Sequence, residues 1–181
     1  MKEAINPFQY APVILENLKR GILLTTSFQG KINTMTIGWG MMGIEWSTPI
    51  FIIYVRENRY TTHYLENNPE FTINSPAAEY TVADKKIAAF AGAKSGRNVD
   101  KLAQLGLHTI EPAKISTPAL REFPLTLECK VIYHRKQEPE RIQERFRHSF
   151  YPQNVDSSFP GANRDFHIAW YGEIVEAYIV K

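Results

Sequence analysis

The chain has 181 residues, 44% of them apolar and 22% charged, the proportions of a globular protein and not of a disordered tail or a fibrous repeat. Its 21 Lys and Arg against 19 Asp and Glu leave a net charge of +2, which gives no reason to expect a nucleic-acid or membrane partner. The single cysteine, Cys129, excludes an intrachain disulfide and a Cys-rich zinc site.

A 12% share of aromatic residues favours strands and a well-filled β-rich core. The opening Met1-Lys2-Glu3-Ala4-Ile5-Asn6-Pro7 does not read as a signal peptide. The longest uncharged run, residues 32–44, falls short of the roughly 20 apolar residues of a membrane span. The expectation is a single domain over residues 1–181, located in the cytoplasm.

In chain order, residues 21–27 and 32–37 are β-prone runs joined through Phe28-Gln29-Gly30-Lys31, the pattern of a hairpin. Pro49 opens an almost wholly apolar run over 50–55, which predicts a strand buried on both faces. Residues 60–66 form a helical candidate ended by Asn67-Asn68-Pro69, and 70–74 a short strand. A helix is expected over 82–91, stopping at Gly92, and another over 98–105, capped by Asn98 and closed by Gly106. Residues 125–131 alternate, so Leu125, Leu127, Cys129 and Val131 should point inward and Thr126, Glu128 and Lys130 outward. A charged, exposed helix over 138–148 precedes a polar loop at 151–165 that holds Pro160 and Gly161. The last strand, 166–180, contains Gly172 as a bulge or bend. Strands, helices and strands again, without regular βαβ alternation, predict a mainly β fold, an antiparallel barrel or sandwich decorated by helices.

Gly38-Trp39-Gly40-Met41-Met42-Gly43 matches G-x-G-x-x-G literally, yet another strand follows it where a dinucleotide fingerprint needs a helix. A tight, aromatic-flanked turn or bulge is the better reading. The five histidines stand singly with no H-E-x-x-H spacing, no G-x-S-x-G occurs, and Cys129 points into the core. No metal ligand is assigned.

The segment Gly92-Ala93-Lys94-Ser95-Gly96-Arg97-Asn98-Val99-Asp100-Lys101 combines small residues, a helix start and basic side chains, which suits a phosphate as well as it suits a capped surface helix. Arg56-Glu57-Asn58-Arg59-Tyr60-Thr61-Thr62 ends one strand and enters a helix, and reads as a second anion contact or as a cap at Asn58 or Thr61 with solvated arginines. With the hydroxyl-rich strand Asn33-Thr34-Met35-Thr36, these segments suit a ligand with one phosphate and many ring acceptors.

Asn33-Thr34-Met35-Thr36-Ile37-Gly38-Trp39-Gly40, Pro49 before an apolar strand and Arg59-Tyr60-Thr61 together resemble the flavin reductase-like family, particularly its flavoredoxin-type branch. Phe71-Thr72-Ile73-Asn74-Ser75-Pro76, Ser95-Gly96 with Asp100-Lys101, Leu127-Glu128-Cys129-Lys130-Val131, and His167 before Gly172-Glu173-Ile174-Val175-Glu176-Ala177 continue the match in order, over roughly residues 10–180. The resemblance implies an FMN-binding split β-barrel that forms homodimers with flavin near the subunit interface. It implies that Asn33, Met35 and Thr36 line the isoalloxazine edge and that Trp39 flanks the ring or the dimer contact. It also implies that Arg59 and Thr61 hold the phosphate or ribityl chain, and that Ser95, Gly96 and Lys101 close over the phosphate or flavin edge. His167 matches a histidine near the nicotinamide or flavin face; a strand histidine bonded to a neighbour is the alternative. Residues 134–165 depart from the family pattern. The expected activity is reduction of flavin or a small acceptor by NAD(P)H, the alternatives being an FMN electron carrier served by a redox protein partner and a non-enzymatic split-barrel ligand-binding protein. Thr61 and Lys101 are expected to be exposed in the unliganded chain.

Overall fold

The computed structural model describes residues 1–156 and 162–181, so Pro160 and Gly161 of the expected loop lie outside the described residues. Strand β1 (Lys2–Ala4) and helix α1 (Ala11–Leu18) come first, neither of them expected from the sequence. The expected hairpin follows as β2 (Ile22–Phe28) and β3 (Lys31–Ile37), paired from Ile22↔Ile37 to Phe28↔Lys31. Its turn residues, Gln29 and Gly30, are both left-handed, with φ of 48° and 74°, so the turn twists with the strands it joins.

The G-x-G-x-x-G stretch is no turn. Its second half is strand β4 (Gly40–Glu45), paired along β5 (Thr48–Arg56), and the reversal between them falls at Trp46-Ser47, with φ of 51° and 58°. Glycine serves packing here, because a side chain at Gly40 would press on the Phe51 ring at 3.0 Å. β5 is buried at Phe51, Ile53 and Val55 and half-buried at Ile52 and Tyr54, so it alternates instead of being covered on both faces.

Helix α2 (Tyr60–Asn67) and strand β6 (Glu70–Ser75) match expectation closely. α3 (Val82–Ala93) starts from a reciprocal cap between Thr81 and Asp84. α4 (Lys101–Leu105) is shorter than expected: Asp100, not Asn98, caps it by accepting the Ala103 N–H at 3.0 Å. Strands β7 (Thr109–Ile110) and β8 (Ala119–Leu120) pair with each other, and β9 (Leu125–Lys136) runs on beyond the expected end. The helix expected over 138–148 is a 3-10 turn at Pro139–Arg141 and a separate α5 (Glu144–Phe150). β10 (His167–Val180) closes the chain, with the register slipping at Tyr171/Gly172. A side chain at Gly172 would collide with the Phe71 ring, which is why the bulge carries glycine.

The main sheet is antiparallel throughout, in the order β3-β2-β6-β9-β10-β5-β4 with β1 added on β10. Ile14, Leu24, Phe51, Phe71, Leu127 and Trp170 belong to the main core, and Leu23, Ala91, Leu107, Leu120 and Phe123 to a second cluster under α3 and α4. Cys129 is in the core as expected, but Thr126 and Glu128 are also fully buried. Residues 112–118 lie over that second face: Glu128 accepts the N–H groups of Ala113 and Lys114, each at 2.7 Å. Among the described residues no helix is long and apolar enough to cross a membrane.

Candidate functional site

β3 leads directly to the site. Its alternation sends Asn33 and Met35 toward the end of the sheet where α2, α3 and the segment 94–100 meet it. There a cavity of about 490 Å3 is lined by Asn33, Met35, Thr36, Arg59, Thr61, Ser95, Gly96 and Lys101. A smaller cavity of about 250 Å3 adjoins it, sharing Met35, Thr36 and Arg59 and adding Trp39, Tyr54, Arg56, Asn163 and His167. All ten residues singled out from the sequence line one of the two cavities. Arg97 and Asn98 in the larger cavity, and Tyr54, Arg56 and Asn163 in the smaller, were not singled out. Arg56 and Asn98 lie inside the basic segments already recognised, whereas Asn163 belongs to the segment that departs from the family pattern and carries no local signal.

The larger cavity has a charge imbalance. Arg59, Lys94, Arg97 and Lys101 line it, and no Asp or Glu does among the described residues. Lys101 is buried, contrary to expectation, with Nζ donating to the carbonyls of Thr34 at 2.7 Å and Ala91 at 2.8 Å. An ammonium group has three protons, so one remains beyond these two bonds. Burial, reinforced by the Arg59 charge, pulls Lys101 down to about 8. Thr61 is buried too, and its hydroxyl accepts from Asn33 Nδ2 at 2.9 Å. It does not cap α2; Arg59 occupies the cap position without a side-chain bond, and Asn58 does not serve there either.

Ser95 and Gly96 form the rim opposite Asn33. A side chain at Gly96 would collide with Asn33 Oδ1, so only glycine lets this rim approach β3 so closely. Arg97 donates to the Asn58 carbonyl at 3.1 Å and lies over the Tyr60 ring at 5.1 Å, tying the rim to the start of α2. With α4 only five residues long and starting at Lys101, its dipole contributes little; the side-chain cations and the rim's polar atoms make the site electropositive.

The smaller cavity is aromatic. Trp39, 39% exposed, packs at 4.8 Å on the His167 ring and edge-on at 5.0 Å against Phe150 of α5. His167 is buried, and Nδ1 lies 2.7 Å from the Tyr151 hydroxyl, so the strand-histidine reading holds for one face of the ring while another lines the cavity. Burial and the Arg56 charge pull His167 down to about 4, so the ring is neutral near pH 7. Arg56 is committed to backbone: it donates to the carbonyls of Phe150 at 2.9 Å, Asn163 at 3.0 Å and Asp165 at 2.5 Å. Phe150, Asn163 and Asp165 are thereby fastened to β5, and Asn163 and His167 form the far wall. Arg59 donates to Asn163 Oδ1 at 3.2 Å and stands between the two cavities.

The pattern has relatives. The family model described as flavin reductase like domain matches residues 15–181. An uncharacterized protein of Archaeoglobus fulgidus is 28% identical over 102 residues, 56% of this chain; the match covers 55% of that relative, so the chain spans about half its length. Among solved structures, a flavoredoxin from Methanosarcina acetivorans superposes with a TM-score of 0.62 at 25% identity, covering 89% of this chain and 68% of that one. The flavoredoxin of Desulfovibrio vulgaris (Miyazaki F) gives 0.64 at 23%, covering 89% and 69%. An FMN-binding domain of a flavin reductases-like enzyme from Shewanella baltica OS155 gives 0.64 at 18%, covering 99% and 77%. The last two show the shared split-barrel fold.

Proposed function

The chain belongs to the flavin reductase-like family, and from that membership we propose that the paired cavities bind FMN and that the protein passes electrons from NAD(P)H to flavin or another small acceptor. The observation that carries this reading is the larger cavity's set of cations without a lining carboxylate, which is what a phosphate ester needs and a neutral ligand does not. The residues fit the group. Lys101, Arg59 and Arg97 would neutralise the phosphate, Thr61 and Ser95 would supply hydroxyls to it or to the ribityl chain, and Asn33, Met35 and Thr36 would run along the ring edge, with Trp39 beside it.

When bound, FMN supplies hydride transfer, and the protein supplies position and field. Arg59, the one cation that lines both cavities among the described residues, would favour negative charge on a flavin held there. Trp39 and His167 give the smaller cavity an aromatic wall, with Phe150 packed edge-on against Trp39. His167, neutral near pH 7, adds no charge there.

Relatives called flavoredoxins favour a second reading, an FMN electron carrier reduced by a protein partner. The two are separated by anaerobic mixing of FMN-loaded protein with NADH and NADPH. Prompt bleaching of the flavin band supports the reductase; no bleaching with either nucleotide supports the carrier. A colourless protein that takes up no FMN on titration overturns both.

A homodimer is part of the proposal. β4 is an edge strand whose Met41 and Ile44 are exposed, and Trp46 in the following turn is exposed as well. An apolar edge of this kind suits pairing with a second copy. Light scattering should return twice the chain mass, and a monomer would remove this part.

A further inference from the structure

The smaller cavity ends on His167, and the polar chain behind that ring admits one arrangement of protons. The backbone N–H of His167 is an obligatory donor, and it meets Gln137 Oε1 at 3.3 Å. That contact fixes the Gln137 amide with its oxygen inward. The same oxygen accepts the Tyr151 hydroxyl at 2.8 Å. A hydroxyl has one proton, so Tyr151 has none left for His167 Nδ1, 2.7 Å away. Burial raises the Tyr151 phenol, which keeps that proton in place. The proton between Tyr151 and His167 therefore sits on Nδ1, and Nε2 is a bare acceptor. No described residue hydrogen-bonds Nε2, and the ring lines the cavity.

The surroundings hold this state. Arg56 on β5 lies over the Tyr151 ring at 5.0 Å and grips the carbonyl of Phe150 immediately before it. Phe166 stacks on the other side of the phenol at 4.5 Å. The charges that face His167 are Arg56 from β5, Arg59 from the start of α2 and Asp165 from the turn before β10; burial and the two cations outweigh the carboxylate. Gln137 and Tyr151 both lie in the segment that departs from the family pattern.

We propose that Gln137 and Tyr151 are positioning residues that hold His167 as its Nδ1–H tautomer, so that Nε2 accepts a hydrogen bond from an N–H group, such as a primary carboxamide, on the small molecule that docks beside the flavin. The docking half rests on the flavin reading; the tautomer half does not. A carbonyl or carboxylate oxygen placed at Nε2 meets a lone pair and is disfavoured there.

Long-range proton–nitrogen NMR of the full chain with labelled histidine, without ligand at neutral pH, reads the tautomer directly. The expected result is a protonated Nδ1 and a bare Nε2 for His167, and a tautomer ratio lowered by about tenfold in Tyr151→Phe, the weight of one hydrogen bond. Gln137→Ala should shift the ratio the same way, and it serves as the second variant if Tyr151→Phe fails to fold. A wild-type ring protonated on Nε2, or a ratio unmoved in both variants, overturns the tautomer. For docking, benzamide and benzoate are titrated into FMN-loaded protein and followed by the flavin band. Benzamide should bind more tightly, with the preference reduced in Tyr151→Phe; equal or tighter benzoate binding overturns the acceptor role. Protein that takes up no FMN defeats the flavin reading and the docking half together, while the NMR result decides the tautomer on its own.

Discussion

Glu128 and Lys101 are both buried charges with no opposite charge bonded to them among the described residues, and they are handled in different ways. Glu128 is closed: its carboxylate accepts two backbone N–H groups from the 112–118 segment and the Tyr178 hydroxyl at 2.9 Å. Burial and Glu128 itself push Tyr178 well up, so it remains a donor. Lys101 is open: two carbonyls take two of its protons, and the cavity lies in front of the third. A buried charge surrounded by fixed dipoles anchors a loop, whereas one left partly unsatisfied beside a cavity is available to a ligand of opposite sign.

The largest effect should come from breaking the closed site. Glu128→Ala strands two N–H groups and a phenol in the interior and should lower stability by about 3 kcal/mol, read by urea unfolding. A loss of under about 1 kcal/mol would show that the carboxylate is not what holds the 112–118 segment. Lys101→Met should do the reverse. It keeps the packed stem, and relief of a buried charge offsets the loss of a donor to the Thr34 and Ala91 carbonyls, so near pH 7 FMN titration should weaken by at least about tenfold while urea unfolding changes far less than in Glu128→Ala. If affinity is unchanged, the open site is not a phosphate site.

Gly96→Ala should weaken FMN binding by several-fold, because the new methyl displaces Asn33 and moves the rim. The same fluorescence titration checks it, and an unaltered affinity would detach the rim from the ligand. Cys129→Ser should cost about 1–2 kcal/mol of stability, read as a lower melting temperature, with no change in FMN affinity. Equal melting temperatures would contradict its apolar surroundings.

The smallest effect is with pH. Lys101 sits at about 8 in the fold against 10.5 for an ordinary lysine. Between those values the unfolded chain binds more protons, so this group's contribution to stability rises as pH climbs through the window and is at its most unfavourable below it. FMN affinity should move oppositely, falling as the ammonium is lost. Urea unfolding and FMN titration between about pH 7 and 10 should show opposing slopes that vanish in Lys101→Met.

Much of this is legible before any coordinates. The hairpin at Gln29-Gly30, the helices at 60–66 and 82–91, the bulge at Gly172 and the residues of the two basic segments rest on local rules of turn chemistry, periodicity and composition. The misses share a cause. Thr126 and Glu128 read as a solvent face because their alternation is regular, and only the distant 112–118 segment covers them. Lys101 and Thr61 read as exposed because lysine and threonine usually are, and their carbonyl and amide partners sit 67 and 28 residues away in the chain for the Thr34 and Asn33 contacts. Residues 38–43 read as a turn or bulge because their glycines resemble turn residues, whereas packing against Phe51 explains Gly40.

Sequence alone determined the class of the fold and the order of most of its elements, because strand period and turn residues are written into short stretches of chain, while the side chains that meet at the cavities were named by the family resemblance. Which of those side chains are free to take a ligand was decided only by tertiary structure. Burial and hydrogen-bond satisfaction depend on what the rest of the chain brings alongside, and the carbonyls of Thr34 on β3 and Ala91 on α3 hold as a buried cation a lysine that reads as solvated.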